Sequence, residues 1–200
     1  MLGCLIEKQR TTPGAYPLSL NSIRLACNQS TNRDPVVEYD EQEIRAALER
    51  LSRRGWTRLA SGAGSRAAKY RHLLDEAIGL SPGEVSLLAV LMLRGAQTPG
   101  ELKQRAERLY AFASLAELDD VLEGLADREL VVRLARRPGQ KETRYEQLLG
   151  SNAQTVPDVA VADVSGDRLG ALEKRVAELE EALAALQAQA GRGPEPHRQP

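Results

Sequence analysis

Nucleophilic, general-base and metal chemistry draws most often on histidine and cysteine, and this chain of 200 residues carries two of each. His197 lies in a terminal stretch rich in Pro and Gly. His72 ends an extended segment, where a solvated or packing role is expected. Cys4 and Cys27 sit in apolar helical patterns, and no further Cys or His stands at metal-ligand spacing. They read as buried, inert thiols. The run Gly62-Ala63-Gly64-Ser65 resembles a phosphate loop only superficially, because it joins two extended segments and does not lead into a helix N-terminus. No catalytic constellation emerges. The expectation is a protein that is not an enzyme and uses no cofactor or metal.

The chemistry that remains is electrostatic. Between Arg45 and Leu74 stand Arg45, Arg50, Arg53, Arg54, Arg58, Arg66, Lys69 and Arg71 against Glu49 alone, a local excess in a chain of formal net charge -1. A near-neutral total gives no global pull towards nucleic acid or membrane, so such a patch must act locally. No run of 18 apolar residues and no charged leader followed by an apolar stretch is present, so a cytoplasmic protein without a membrane partner is expected.

The elements that must position these charges are duplicated. The segment LSRRGWTRLASGAGSRAAKYRHLL from Leu51 is echoed by LADRELVVRLARRPGQKETRYEQLL from Leu125, matching Tyr70 with Tyr145 and Leu73-Leu74 with Leu148-Leu149. Thr12-Pro13-Gly14 recurs as Thr98-Pro99-Gly100, and a repeated unit of roughly 70 to 85 residues is the economical account. In the second copy, helices start at Ser81-Pro82, Thr98-Pro99 and Ser114, followed by strands over Leu130–Leu134 and Thr143–Leu148. The first copy has a helix over Leu20–Asn28 and a third helix capped by Asp40, with Glu43 completing a capping box. Its strands fall at Trp56–Ala60 and Ala67–Leu73, and Ala15-Tyr16-Pro17 is an insertion. Its first helix begins at Met1 without the cap and turn of the second copy, which points to a shortened chain or a start codon assigned too late.

Three helices and a hairpin make a winged helix. The expected fold is therefore mainly α with small β hairpins (α+β): tandem winged-helix domains at residues 1–76 and 77–149, then a linker at 150–166. From Leu169, apolar residues at Leu169, Leu172, Val176, Leu179, Leu183 and Leu186 follow a heptad over residues 167–190. That segment reads as a dimerising coiled coil, with a helix docked on the body or monomeric in solution as the other reading. Residues 191–200 read as a disordered tail.

The stretch LGCLIEKQRTTPGAYPLSLNSIRLACNQSTNRDPV, together with GSRAAKYRHL and MLRGAQTPGEL, resembles the YceH-like family of uncharacterised bacterial proteins over about residues 2–149. The resemblance implies a tandem winged-helix fold of unknown role, with extra residues usual before the opening motif. It places the coiled coil outside the shared part and supplies no mechanism.

Function must then come from the charges. In the first copy the exposed face of the third helix offers Gln42, Arg45, Glu49 and Arg50, flanked by Arg53, with Arg58, Arg66 and Lys69 on the wing. Such a set suits duplex DNA, bases being read from the helix and phosphates from the wing. The loop Gln29–Val37 could meet DNA backbone or a partner through Asn32 and Arg33, or be a plain connection. In the second copy Glu117, Asp119, Asp120 and Glu123 would repel phosphates, although its wing is basic through Arg133, Arg136, Arg137, Lys141 and Arg144. That helix suits a protein partner, or the basic face of a second molecule. The leading expectation is a DNA-binding, transcription-regulating protein; the alternative is a scaffold or adaptor that binds no DNA.

Overall fold

Side-chain caps decide where most of the helices begin. The computed structural model describes residues 1–60, 67–136 and 142–150. Helix α1 (Leu2–Thr11) starts at Met1 without a side-chain cap. Ser19 caps α2 (Leu20–Cys27) and Asp40 caps α3 (Glu41–Arg53), while α4 (Leu74–Ile78) is a short connector that the apolar pattern does not foretell. Ser81, Thr98 and Ser114 cap α5 (Pro82–Arg94), α6 (Pro99–Ala106) and α7 (Leu115–Asp127). Asp40, Ser81 and Thr98 are each answered by a glutamate three residues on, closing full capping boxes. Among the described residues there are seven α-helices and two small antiparallel sheets, so the α+β expectation holds.

The expected antiparallel pairs form between β2 (Thr57–Leu59) and β3 (Lys69–His72), and between β4 (Val131–Leu134) and β5 (Arg144–Gln147). A further strand, β1 (Leu18–Ser19), lies against β3 and makes the first sheet three-stranded, in the order β1-β3-β2. Leu18 pairs with Tyr70. In the second half Gln97 pairs with Tyr145 in the same way, exchanging N–H···O bonds of 3.0 and 2.8 Å. This register corrects the sequence repeat. The counterpart of Thr98 is Ser19, since each caps a helix one residue after the strand partner of the repeated tyrosine. Thr12-Pro13-Gly14 instead opens a 3-10 turn at Pro13–Ala15, and its likeness to Thr98-Pro99-Gly100 is a coincidence of turn-forming residues.

Both halves fall within one compact unit. Its centre is α5, which is mostly apolar round its middle turns and is buried at every residue from Val85 to Leu91. Leu87, Leu88 and Leu91 enter the core of the second half with Leu102, Leu118, Leu122 and Leu125. Leu93 enters the core of the first half with Leu5, Ile23, Ile44 and Leu48. Val85 and Ala89 pack between them with Leu2, Ile6 and Leu74. Gly3 permits this approach: a Cβ there would lie 3.0 Å from Leu93 Cγ and 3.1 Å from the Ala89 carbonyl oxygen. The heptad residues Leu169, Leu172, Val176, Leu179, Leu183 and Leu186, the linker and the tail lie outside the described residues. No helix among the described residues is long and apolar enough to cross a membrane.

His72 closes β3 as a packing residue, its side chain 1% exposed. Its backbone N–H donates to the Tyr16 hydroxyl at 2.7 Å, and its Nε2 lies 2.6 Å from Gln9 Oε1, which makes Nε2 the protonated nitrogen. Nδ1 is then a bare acceptor 3.6 Å from Asp75 Oδ1, without a hydrogen-bond partner among the described residues. Burial lowers the affinity of the ring for a second proton, with Asp75 opposing that effect.

Two stability outcomes follow from this packing. Gly3→Val should cost about 1–3 kcal/mol through overpacking, whereas Gly124→Ala, in open space on α7, should add about 0.5–1 kcal/mol; urea midpoints decide both. Because the folded pKa of His72 is lowered, the unfolded chain takes the proton first as pH falls through about 6.5, and stability drops there. His72→Gln, the residue type at the equivalent Gln147, should flatten the decline between about pH 7 and 5. Parallel wild-type and variant curves would contradict this account.

Candidate nucleic-acid interface

Helix α3 buries Ile44 and Leu48 and turns Gln42, Arg45, Ala46, Glu49 and Arg50 outward. The apolar stripe at spacing four anchors the helix, and the capping box at Asp40 fixes its start. Arg45 lies 2.8 Å from Glu41 one turn earlier. Both side chains are more than half exposed, so the pair is worth little and Arg45 can exchange it for another anion.

The remaining cations differ in availability. Arg53 is exposed at the end of α3. Arg54 lies over Trp56 at 5.1 Å and donates to the Leu149 carbonyl at 3.4 Å, while its side chain stays exposed. Arg58 on β2 stands directly opposite Arg71 on β3, and Glu76 takes up the Arg71 charge at 3.2 Å. A like-charged cross-strand pair is unfavourable by itself, so the surface there favours an anion. Lys69 is exposed at the start of β3. Arg66 lies outside the described residues.

The loop ahead of α3 corrects one expectation. Arg33 is not a surface residue: its side chain is 4% exposed and forms a 2.6 Å ion pair with Glu7 of α1. It also donates to the Ala26 carbonyl at 2.7 and 3.1 Å, to Gln29 at 3.1 Å and to its neighbour's Asn32 carbonyl at 2.7 Å. Nothing in the local pattern announces this, because the acceptors come from three separate segments. Beside it lie the two cysteines, both buried. The Cys4 thiol donates to the same Ala26 carbonyl at 3.6 Å. A hydrogen bond shared by the thiols draws Cys4 below its ordinary pKa range and pushes Cys27 above. Helical periodicity indicates their burial but not their meeting.

On the second half, Glu117 spends both carboxylate oxygens internally, on the Ala113 N–H at 2.7 Å and the Tyr110 hydroxyl at 3.1 Å. Asp119 and Glu123 line a cleft of about 420 Å³ between α7 and the β4–β5 pair, with Arg133, Arg136 and Glu142 around it. Asp120 is exposed on the same helix. Arg144 turns inward, 3.0 Å from Glu101 and 2.9 Å from the Ala96 carbonyl, so it does not add to the basic surface expected there. Arg137 and Lys141 lie outside the described residues. Among the described residues no group of His, Cys, Asp and Glu could hold a metal ion.

Relatives match the chain over nearly its whole length. The family model described as a protein of unknown function, DUF480, matches residues 1–140. The UPF0502 protein YceH of Escherichia fergusonii is 46% identical over 203 residues, covering 96% of this chain and 94% of its own length. A UPF0502 protein of Klebsiella pneumoniae is 46% identical over 200 residues, covering 93% and 92%. Such coverage takes in much of the segment beyond residue 149, so the C-terminal region is part of what the relatives share, against the narrower resemblance drawn from the motifs. The chain belongs to the DUF480 family of bacterial UPF0502 proteins, whose function is unknown.

Proposed function

We propose that the chain is a tandem winged-helix protein that binds duplex DNA through its first half and acts in the cytoplasm as a regulator. The observation that carries this reading is the exposed face of α3. It sets Gln42, Arg45, Glu49 and Arg50 opposite the buried Ile44 and Leu48, next to Arg53, Arg58 and Lys69. Arg and Gln can each make bidentate contacts to purine edges in a major groove, and the flanking cations meet phosphates. The second half takes no part in base reading, since α7 presents Asp119, Asp120 and Glu123 at the equivalent face. Its role in this reading is to support the first half and to leave an acidic surface for a basic protein partner.

Fluorescence anisotropy with duplex DNA across a salt series tests the proposal. Binding should weaken steeply, with a log–log slope of about −0.9 for each phosphate neutralised. Arg58→Ala and Lys69→Ala should each reduce that slope by about one. Arg45→Ala and Arg50→Ala should instead erode discrimination between sequences, by about 1–3 kcal/mol for each bidentate pairing to a base that is removed. Absence of any salt-sensitive duplex binding at low micromolar protein would sink the reading. A stoichiometric protein partner without DNA enrichment would favour a scaffold.

A further inference from the structure

We infer that the second half braces the reading helix of the first: the C-terminal end of α5 fastens the loop of residues 28–40, and Arg94 is a positioning residue for α3. The inference rests on α3 being the reading helix.

The contacts of this loop carry it. The Asp34 N–H donates to the Leu93 carbonyl at 2.9 Å, and the Arg94 guanidinium donates to the Asn32 side-chain oxygen. Asn32 sits at φ 59, a left-handed conformation that asparagine tolerates when neighbouring bonds hold it. Between these two anchor points Arg33 turns back into the Glu7 carboxylate, so the loop is nailed from both faces. Asn28 then closes the loop, accepting from the Tyr39 N–H at 2.9 Å and donating to the Tyr39 carbonyl at 2.8 Å. The next residue is Asp40, the cap of α3. Every one of these supports ties the α3 entry to α1, to α5 or to the end of α2, and only α5 belongs to the second half.

The far end of α5 is itself fixed. Gln97 donates its side-chain N–H to the Arg94 carbonyl at 3.0 Å, and its backbone pairs with Tyr145 of β5. A displacement of β5 therefore reaches Arg94 through Gln97, and Arg94 reaches the α3 entry through Asn32. The physical warrant is a chain of hydrogen bonds between two rigid elements.

The test compares the full-length chain with Arg94→Ala and Asn32→Ala by native hydrogen exchange and by duplex anisotropy. The bond between these two side chains is exposed, so Arg94→Ala removes it without uncovering a buried group, whereas Asn32→Ala also strains the left-handed backbone at residue 32. Exchange at the Asp34 amide and in the first turn of α3 should accelerate about tenfold in either variant, while α7 is unchanged. Duplex affinity should fall by about three- to tenfold with the salt slope unchanged, because a positioning residue neutralises no phosphate. Unchanged exchange over residues 32–45 in both variants overturns the brace. A slope reduced by about one in Arg94→Ala overturns the positioning role, since Arg94 would then touch phosphate itself. If the wild-type chain binds no duplex, the DNA reading fails, and the exchange result still decides the brace.

Discussion

A helix with no solvent-facing side must be covered on all of its faces, and α5 imposes that demand on the whole described structure. Its buried residues include Val85, Leu87, Leu88, Ala89, Val90, Leu91 and Leu93, which point into three groups of apolar side chains. Each buried aliphatic side chain contributes about 1.5–3 kcal/mol as an upper estimate. Stripping the first half from α5 would uncover Val85, Ala89 and Leu93 together, at a cost of several kcal/mol. The two halves of the sequence repeat therefore share α5 as common packing material within one compact unit. Gly3 is the complement of this constraint, since only a residue without Cβ lets α1 approach α5 so closely.

The second constraint is electrostatic. Burying Glu7 and Arg33 is expensive in desolvation, and such a pair is weak evidence for stability in itself. What it supplies is uniqueness. Arg33 satisfies its donors on Glu7, the Ala26 and Asn32 carbonyls and Gln29, which together fix the path of the loop. A loop of thirteen residues between α2 and α3, exposed along Pro35, Val36 and Tyr39, would otherwise have no apolar reason to adopt one conformation. Removal of either partner leaves a buried charge unpaired, at a cost of about 3–5 kcal/mol. The pair thus converts an apolar-poor connection into a fixed entrance to α3.

Much of this is legible in the chain of residues alone. The caps Asp40, Ser81, Thr98 and Ser114 announce four helix starts because capping is a local, short-range chemistry. Tyr70 and Tyr145 mark equivalent strands because the two residues share a place in the fold. What escapes is non-local. Strand β1 is two residues long, too short for any alternation to register. The Thr-Pro-Gly match misleads because turn chemistry recurs without homologous position. Arg33 offers itself to a partner when read in the sequence, yet it is buried against Glu7, and Arg144 of the second wing is partly covered by Glu101. A charge count overstates a patch by the cations that the fold consumes, and only pairing reveals which ones those are.

The surviving charges still separate the two halves. The buried positions are alike, Ile44 and Leu48 in α3 answering to Leu118 and Leu122 in α7, as close packing requires. Outside the buried stripe the two helices differ, with Arg45 and Arg50 on one and Asp119, Asp120 and Glu123 on the other. At about 0.1 M salt, exposed charges are screened beyond about 10 Å. A phosphate approaching α3 therefore responds to its nearest side chains and hardly to the net charge of -1. The near-neutral total conceals local differences, and each exposed charge acts only on what comes within a screening length of it.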